Sequence, residues 1–206
     1  ARAIKVLPDI CGLASAALPR RDPFYCASIF GDIGDRFVLC RGQFEAEADK
    51  MVDQLTLMTP QGKGQDEPED PHYGLFGAAY LTRAYLQLIG LRSYDFTITD
   101  APMHDRLVPS QLERIFGPTV FDKACENGHQ INSRDLPTNK ELVKDLLRRT
   151  HAFALLVADK TNSLTMTHWQ EIYSVDRVVS LPEIEHVPHV MAVIIGLTEG
   201  TLDFRS

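Results

Sequence analysis

The chain has 206 residues and carries 21 Lys and Arg against 28 Asp and Glu, a formal charge of −7. At 44% hydrophobic and 24% charged it can bury a core of its own, which excludes disorder of the whole chain and fits a single domain over residues 1–206. The acid excess excludes a phosphate-backbone binder, which needs clustered Lys and Arg to release counterions. Apolar runs such as Phe153 to Ala158 and Val190 to Leu197 fall well short of the ~18 to 20 residues that span a bilayer, so no membrane segment is expected.

The amino terminus opens on Ala1 without the apolar stretch and small-residue cleavage site of a secretory signal. The expectation is a cytoplasmic chain, a fragment or processed form of a longer one. Cys11, Cys26, Cys40 and Cys125 show no C-x-x-C spacing, which disfavours a structural zinc and leaves reduced thiols as the expectation.

In chain order, a strand is predicted at Ile4 to Leu7 and a second at Phe24 to Phe30. The second turns through Gly31-Asp32-Ile33-Gly34-Asp35 into a third at Phe37 to Cys40, a hairpin that sets Cys26 opposite Cys40. Glu45 to Leu57 has helical spacing, with Met51, Leu55 and Met58 on one face, and a polar breaker follows from Thr59 to Tyr73. Gly74 to Ile89 reads as a largely buried helix stopped at Gly90. Tyr94 to Thr99 is the next strand, and Ser110 is placed to cap a helix bearing Leu112, Ile115 and Phe116. A helix at Glu141 to Arg149, a strand at Phe153 to Val157, a short helix at His168 to Tyr173, a strand at Arg177 to Leu181 and a closing helix at Val190 to Leu197 complete the reading. Strands separated by helices imply an α/β, Rossmann-like three-layer domain. Its central sheet of about six strands is mostly parallel, with Phe37 to Cys40 as one antiparallel edge strand and helices on both faces.

Ligands of open parallel sheets bind outside the carboxyl ends of the strands, and Asp recurs there: Asp9, Asp32, Asp100 and Asp159 each follow a predicted strand. Between Gly42 and His72 there are eight acids and two Lys, Asp66, Glu67, Glu69 and Asp70 among them, so nearly all the net charge lies in that stretch. Carboxylates converging on one hollow repel one another, a cost that Mg²⁺ or Ca²⁺ with oxygen ligands relieves.

The acidic end of strand one, the Phe30-Gly31-Asp32 hairpin, the loop Gly62-Lys63-Gly64-Gln65-Asp66-Glu67-Pro68-Glu69 with its apolar helix, and Thr97-Ile98-Thr99-Asp100-Ala101-Pro102 together resemble a von Willebrand factor A-type domain. The resemblance covers about Ile4 to Leu197. It implies a non-catalytic module that binds another protein, with Asp9, Asp66 and Asp100 as metal ligands and Cys11, Asp32, Glu67, Glu69 and His104 around them. Cys11 and Leu13 stand where the family has serines, so any Mg²⁺ or Ca²⁺ would be held weakly.

The competing expectation is a metal-dependent phosphoester or nucleotide hydrolase, with Asp9, Asp32, Asp66 and Asp100 holding Mg²⁺ to activate water. The seven histidines offer no H-E-x-x-H, there is no G-x-S-x-G, and no Walker or G-x-G-x-x-G loop occurs. His104, beside Asp105 and four residues past Asp100, reads as a rim residue.

Overall fold

Pro8 does not end a strand; it opens a helix. The computed structural model describes residues 5–19, 23–58, 68–83, 89–157 and 163–203, and in it Leu7–Ala17 forms helix α1. Proline costs nothing in a first helical turn, where its missing N–H has no partner to lose, and Asp9 beside it complements the helix dipole. Ile10, Cys11, Ala14 and Ala17 recur at helical spacing and are the residues that α1 buries. The predicted strand Ile4 to Leu7 is thereby corrected at Leu7, while Ile4 lies outside the described residues.

The hairpin forms, but as a sheet of its own: β1 (Ser28–Phe30) pairs antiparallel with β2 (Leu39–Arg41). A second contact, Tyr25 with Glu45, is out of step with that ladder by one residue, which marks a bulge around Gly42. A Cβ at Gly42 would sit 2.4 Å from the Gln54 side-chain oxygen, so a larger residue there would displace the end of that side chain. The register places Ile29, not Cys26, opposite Cys40; the Cys26 thiol donates instead to the Gly42 carbonyl at 3.4 Å. All four cysteines are free.

Helix α2 (Ala48–Leu57) follows, burying Met51 and Leu55 as its spacing predicts. Helix α3 starts at Pro71, three residues earlier than predicted, because Pro71 again serves as a first-turn proline. It runs Pro71–Phe76 and continues as a π-helical turn over Gly77–Leu81. Thr82 leaves that turn in extended conformation, its hydroxyl donating to the Gly77 carbonyl (2.8 Å) and accepting from the Arg41 guanidinium (2.7 Å). The predicted helix to Ile89 therefore breaks at Leu81; residues 84–88 lie outside the described ones. Gly90 does adopt the positive φ expected of it, 74°.

The main sheet is parallel and three-stranded, in the order β3 (Ser93–Thr99), β4 (Thr150–Val157), β5 (Val178–Leu181). Among the described residues, the expected sheet of about six strands with Phe37 to Cys40 as its edge is replaced by these three strands and the separate hairpin. Between the strands come α4 (Pro109–Phe116), α5 (Val120–Glu126), α6 (Asn139–Leu147) and α7 (Ser163–Tyr173), and α8 (Val187–Glu199) closes the fold. Pro109, not a Ser110 side-chain cap, starts α4. A reciprocal Thr138–Glu141 capping box starts α6.

Alternation along β4 sends its side chains to two different cores. Ala152, Ala154 and Leu156 meet Tyr73, Phe76, Leu142, Leu146, Trp169 and Tyr173 from α3, α6 and α7. Leu155 turns the other way, onto Ile10 of α1 and Val187 of α8, with Phe96 and Ile98 of β3 on the same side. Helices cover both faces, as expected of a parallel sheet. No helix among the described residues is long and apolar enough to cross a membrane.

Candidate functional site

Strand β3 delivers its chain to the carboxyl edge of the sheet and then runs through an irregular segment, residues 100–108, before α4. That segment is held from three sides. The indole N–H of Trp169 donates to the Ala101 carbonyl at 2.9 Å, the Met103 N–H reaches Nε2 of His168 at 3.3 Å, and the Asn139 amide donates to the His104 carbonyl at 2.7 Å. Trp169 is completely buried, so this pairing satisfies a polar group that burial would otherwise penalise. Accepting the Met103 N–H makes Nε2 of His168 the unprotonated ring nitrogen.

The acidic stretch before α3 docks against the same segment. Glu69 donates its N–H to the Pro102 carbonyl and accepts from the His104 N–H, both at 2.9 Å, a short parallel bridge centred on Met103. Its carboxylate accepts from the Thr99 hydroxyl at 3.3 Å, and that hydroxyl accepts in turn from the Ala101 N–H at 3.2 Å. One residue on, the Asp70 carboxylate accepts the Ile33 N–H of the hairpin loop at 2.8 Å. Two loops 37 residues apart are thus tied by one carboxylate that is 1% exposed.

Between these loops lies an open hollow of 410 Å³ lined by Ile33, Asp70, His104, Asp105, Arg106 and Val108. His72 lies beside it, fully buried, its Nε2 3.6 Å from Asp70, which is beyond hydrogen-bond length. Burial, reinforced by His104 and opposed by the Arg106 backbone, lowers His72 to about 3, so its imidazole is neutral at pH 7. Burial likewise pushes the Tyr73 hydroxyl up to about 12; the charge of Asp70 adds to this and the Val108 backbone opposes it. Below this edge, half-buried Asp95 on β3 is raised to about 6 by desolvation, against the pull of Arg41.

Of the residues expected at the site, Glu69 and His104 meet directly. Asp100 is exposed just past the end of β3, and Asp32 lies next to Ile33 in the hairpin loop, its N–H on the Asp35 carboxylate at 3.1 Å. Asp9 is corrected: it is an exposed residue in the first turn of α1, not a strand-end ligand. Cys11 is corrected too, since it packs in an apolar cluster with Met51, Leu55 and Met58, and burial pushes its thiol up. Asp66, Glu67 and Asp159 lie outside the described residues. Among the described residues no three His, Cys, Asp or Glu side chains are grouped as a metal would require. A buried thiol is a poor ligand for Mg²⁺ or Ca²⁺, which take oxygen donors.

The sequence reading underweighted Asp70 and missed His72. The signal was present in Asp70-Pro71-His72, an acid followed by a proline, which marks a helix start and would have put both residues at the opening of α3. Comparison with models of protein families, with curated proteins and with solved structures finds no significant match for the chain.

Proposed function

We propose that this chain is a non-catalytic protein-binding module of the von Willebrand factor A type, Rossmann-like in its layering, that meets its partner through the acidic carboxyl edge of its parallel sheet. The observation that carries this reading is the clasp of Glu69 between Pro102 and His104, which gathers Glu69, Asp70, Asp100, His104 and Asp105 onto one edge. The bridge fixes the backbone that carries these side chains, and preorganised charge steers and orients partners. In this reading cationic groups of the partner meet the exposed carboxylates of Asp100 and Asp105, while Asp9 and Cys11, aligned with the family's metal site, lie on the surface of α1 and in an apolar cluster. The hydrolase alternative, with Asp9, Asp32, Asp66 and Asp100 around Mg²⁺, draws no support from Asp9, which lies in the first turn of α1. Four free cysteines accord with a reducing compartment such as the cytoplasm.

The test is a quantitative affinity enrichment from cell extract, comparing the wild-type chain with the Asp100→Lys, Asp105→Lys double variant, in chelator and in millimolar Mg²⁺. Both residues are exposed, so the fold should tolerate the change. The expected result is a set of proteins retained by wild type, lost by the variant, weakened by salt and indifferent to chelator. Identical retention by both chains would overturn the reading.

A further inference from the structure

The turn that ends α5 needs an asparagine followed by a glycine, and that pair is chemically labile. From its geometry we infer a modification site away from the acidic edge: Asn127 converts spontaneously to aspartate or isoaspartate when the turn opens, and the folded turn holds the reaction in check. The inference is independent of the protein-binding reading.

Each residue type follows from its place. The chain leaves α5 with the Asn127 N–H on the Lys123 and Ala124 carbonyls at 3.1 and 3.2 Å, the Gly128 N–H on the Cys125 carbonyl at 2.8 Å and the His129 N–H on the Ala124 carbonyl at 3.0 Å. Gly128 has a φ of 90°, which strains any residue with a Cβ. Asn127 is half-buried and its side-chain amide donates to the Tyr80 carbonyl at 2.8 Å, which calls for an N–H donor at that position. Of the four Asn in the chain, Asn127 alone precedes a Gly, whose bare amide nitrogen is the least hindered nucleophile a backbone offers.

In the reaction the Gly128 nitrogen attacks Cγ of Asn127. A C–N bond forms, closing a succinimide ring, and the Cγ–Nδ2 bond breaks; Nδ2 takes the proton released by Gly128 and leaves as ammonia. Water then opens the ring at one carbonyl or the other, giving isoaspartate or aspartate. Gly128 is exposed, so water reaches the ring, and nothing else is consumed.

Both reacting nitrogens are occupied in the folded chain. The Gly128 N–H is held by Cys125 and Nδ2 of Asn127 by Tyr80, so both bonds must break before the ring closes. A further tether joins the same two pieces, from the Arg83 guanidinium just past the π-helical turn to the Glu126 carbonyl at 2.7 Å. The product cannot restore what is lost. A carboxylate has no proton to donate and would face the Tyr80 carbonyl oxygen to oxygen. Tyr80 is fully buried, sets its ring against His129 with centroids 4.9 Å apart and donates its hydroxyl to Asp145 of α6 at 3.0 Å, so conversion loosens α5 from the π-helical turn and from α6 together.

Peptide mass spectrometry of the full chain, incubated at neutral pH in buffer and in denaturing urea, tests this. In urea Asn127 should convert ahead of Asn132, Asn139 and Asn162. In buffer it should convert about ten- to a hundredfold more slowly, the factor that two hydrogen bonds place on opening. Arg83→Ala removes the exposed tether and should quicken conversion in buffer about three- to tenfold while leaving the rate in urea unchanged. Asn127→Asp, which supplies one product directly, should speed amide exchange across α5 and the π-helical turn. Equal rates in buffer and urea, an Asn127 that stays intact in urea, or Arg83→Ala converting in buffer at the wild-type rate would each overturn the inference, and unchanged exchange in Asn127→Asp would overturn the release of α5. Should Arg83→Ala fail to fold, the comparison of buffer with urea decides.

Discussion

Asp95 provides a stability measurement whose sign follows from its surroundings. It lies on β3 on the same side as Thr97, whose hydroxyl is 3.2 Å from the Tyr173 hydroxyl, and burial raises its carboxyl from 3.8 to about 6 despite the attraction of Arg41. The Tyr173 hydroxyl is pushed far up, by burial first and then by the Asp95 charge. A carboxyl raised on folding binds its proton more tightly in the native state. Between pH 4 and 6 the folded chain therefore holds more protons than the unfolded one, and stability falls as pH rises. The shift of about two units corresponds to at most about 3 kcal/mol, since Asp95 is only half-buried and solvent screens part of it. Asp95→Asn keeps the shape and removes the ionisation. The variant should match wild type below pH 4 and gain stability progressively to pH 6, holding that advantage of about 2 to 3 kcal/mol at pH 7. Urea unfolding of both chains at one-unit intervals from pH 4 to 7 provides the comparison, and other titrating groups cancel in the difference. A difference that does not change with pH would refute the argument.

Two further outcomes rest on separate contacts. His72, lowered to about 3 by burial, should show an unshifted neutral imidazole in NMR spectra down to about pH 4. Because its folded value lies below its unfolded 6.5, its contribution to stability is complete above pH 6.5 and is lost as pH falls toward 3, opposite in sign to Asp95; an imidazole midpoint near 6 would contradict the burial argument. Trp169→Phe removes the indole donor to the Ala101 carbonyl and leaves it only the longer Thr99 hydroxyl contact at 3.4 Å, which should cost about 0.5 to 1.5 kcal/mol in chemical denaturation for the lost hydrogen bond. Amide exchange should quicken at Met103 and His104 in that variant, and unchanged protection there would show that the indole does not anchor the segment.

The strands of the main sheet were readable one by one because each carries its signal locally, alternating aromatic or β-branched residues in Tyr94 to Thr99 and an apolar run in Phe153 to Val157. Tyr94 to Thr99, Phe153 to Val157 and Arg177 to Leu181 differ from the observed strands only at their ends. The hairpin turn, the buried face of α2 and the positive φ of Gly90 were equally local. Leu7 to Ala17 was not readable, since an apolar residue before a proline suits the end of a strand and the start of a helix alike; burial of Ile10, Cys11, Ala14 and Ala17 against other elements decided it. The sequence by itself determined which residues carry charge and that acids crowd the stretch before α3. Tertiary structure alone decided which of them share an edge. Asp70 is functional in this reading because Ile33, 37 residues away, donates to it, and Glu69 because Pro102 and His104 close on its backbone. Such pairings depend on how loops from separate elements are brought together by cores on both faces of the sheet. No spacing along the chain encodes that distance, and this is why Asp9 and Cys11, equally plausible by residue type, belong instead to a helix surface and an apolar cluster.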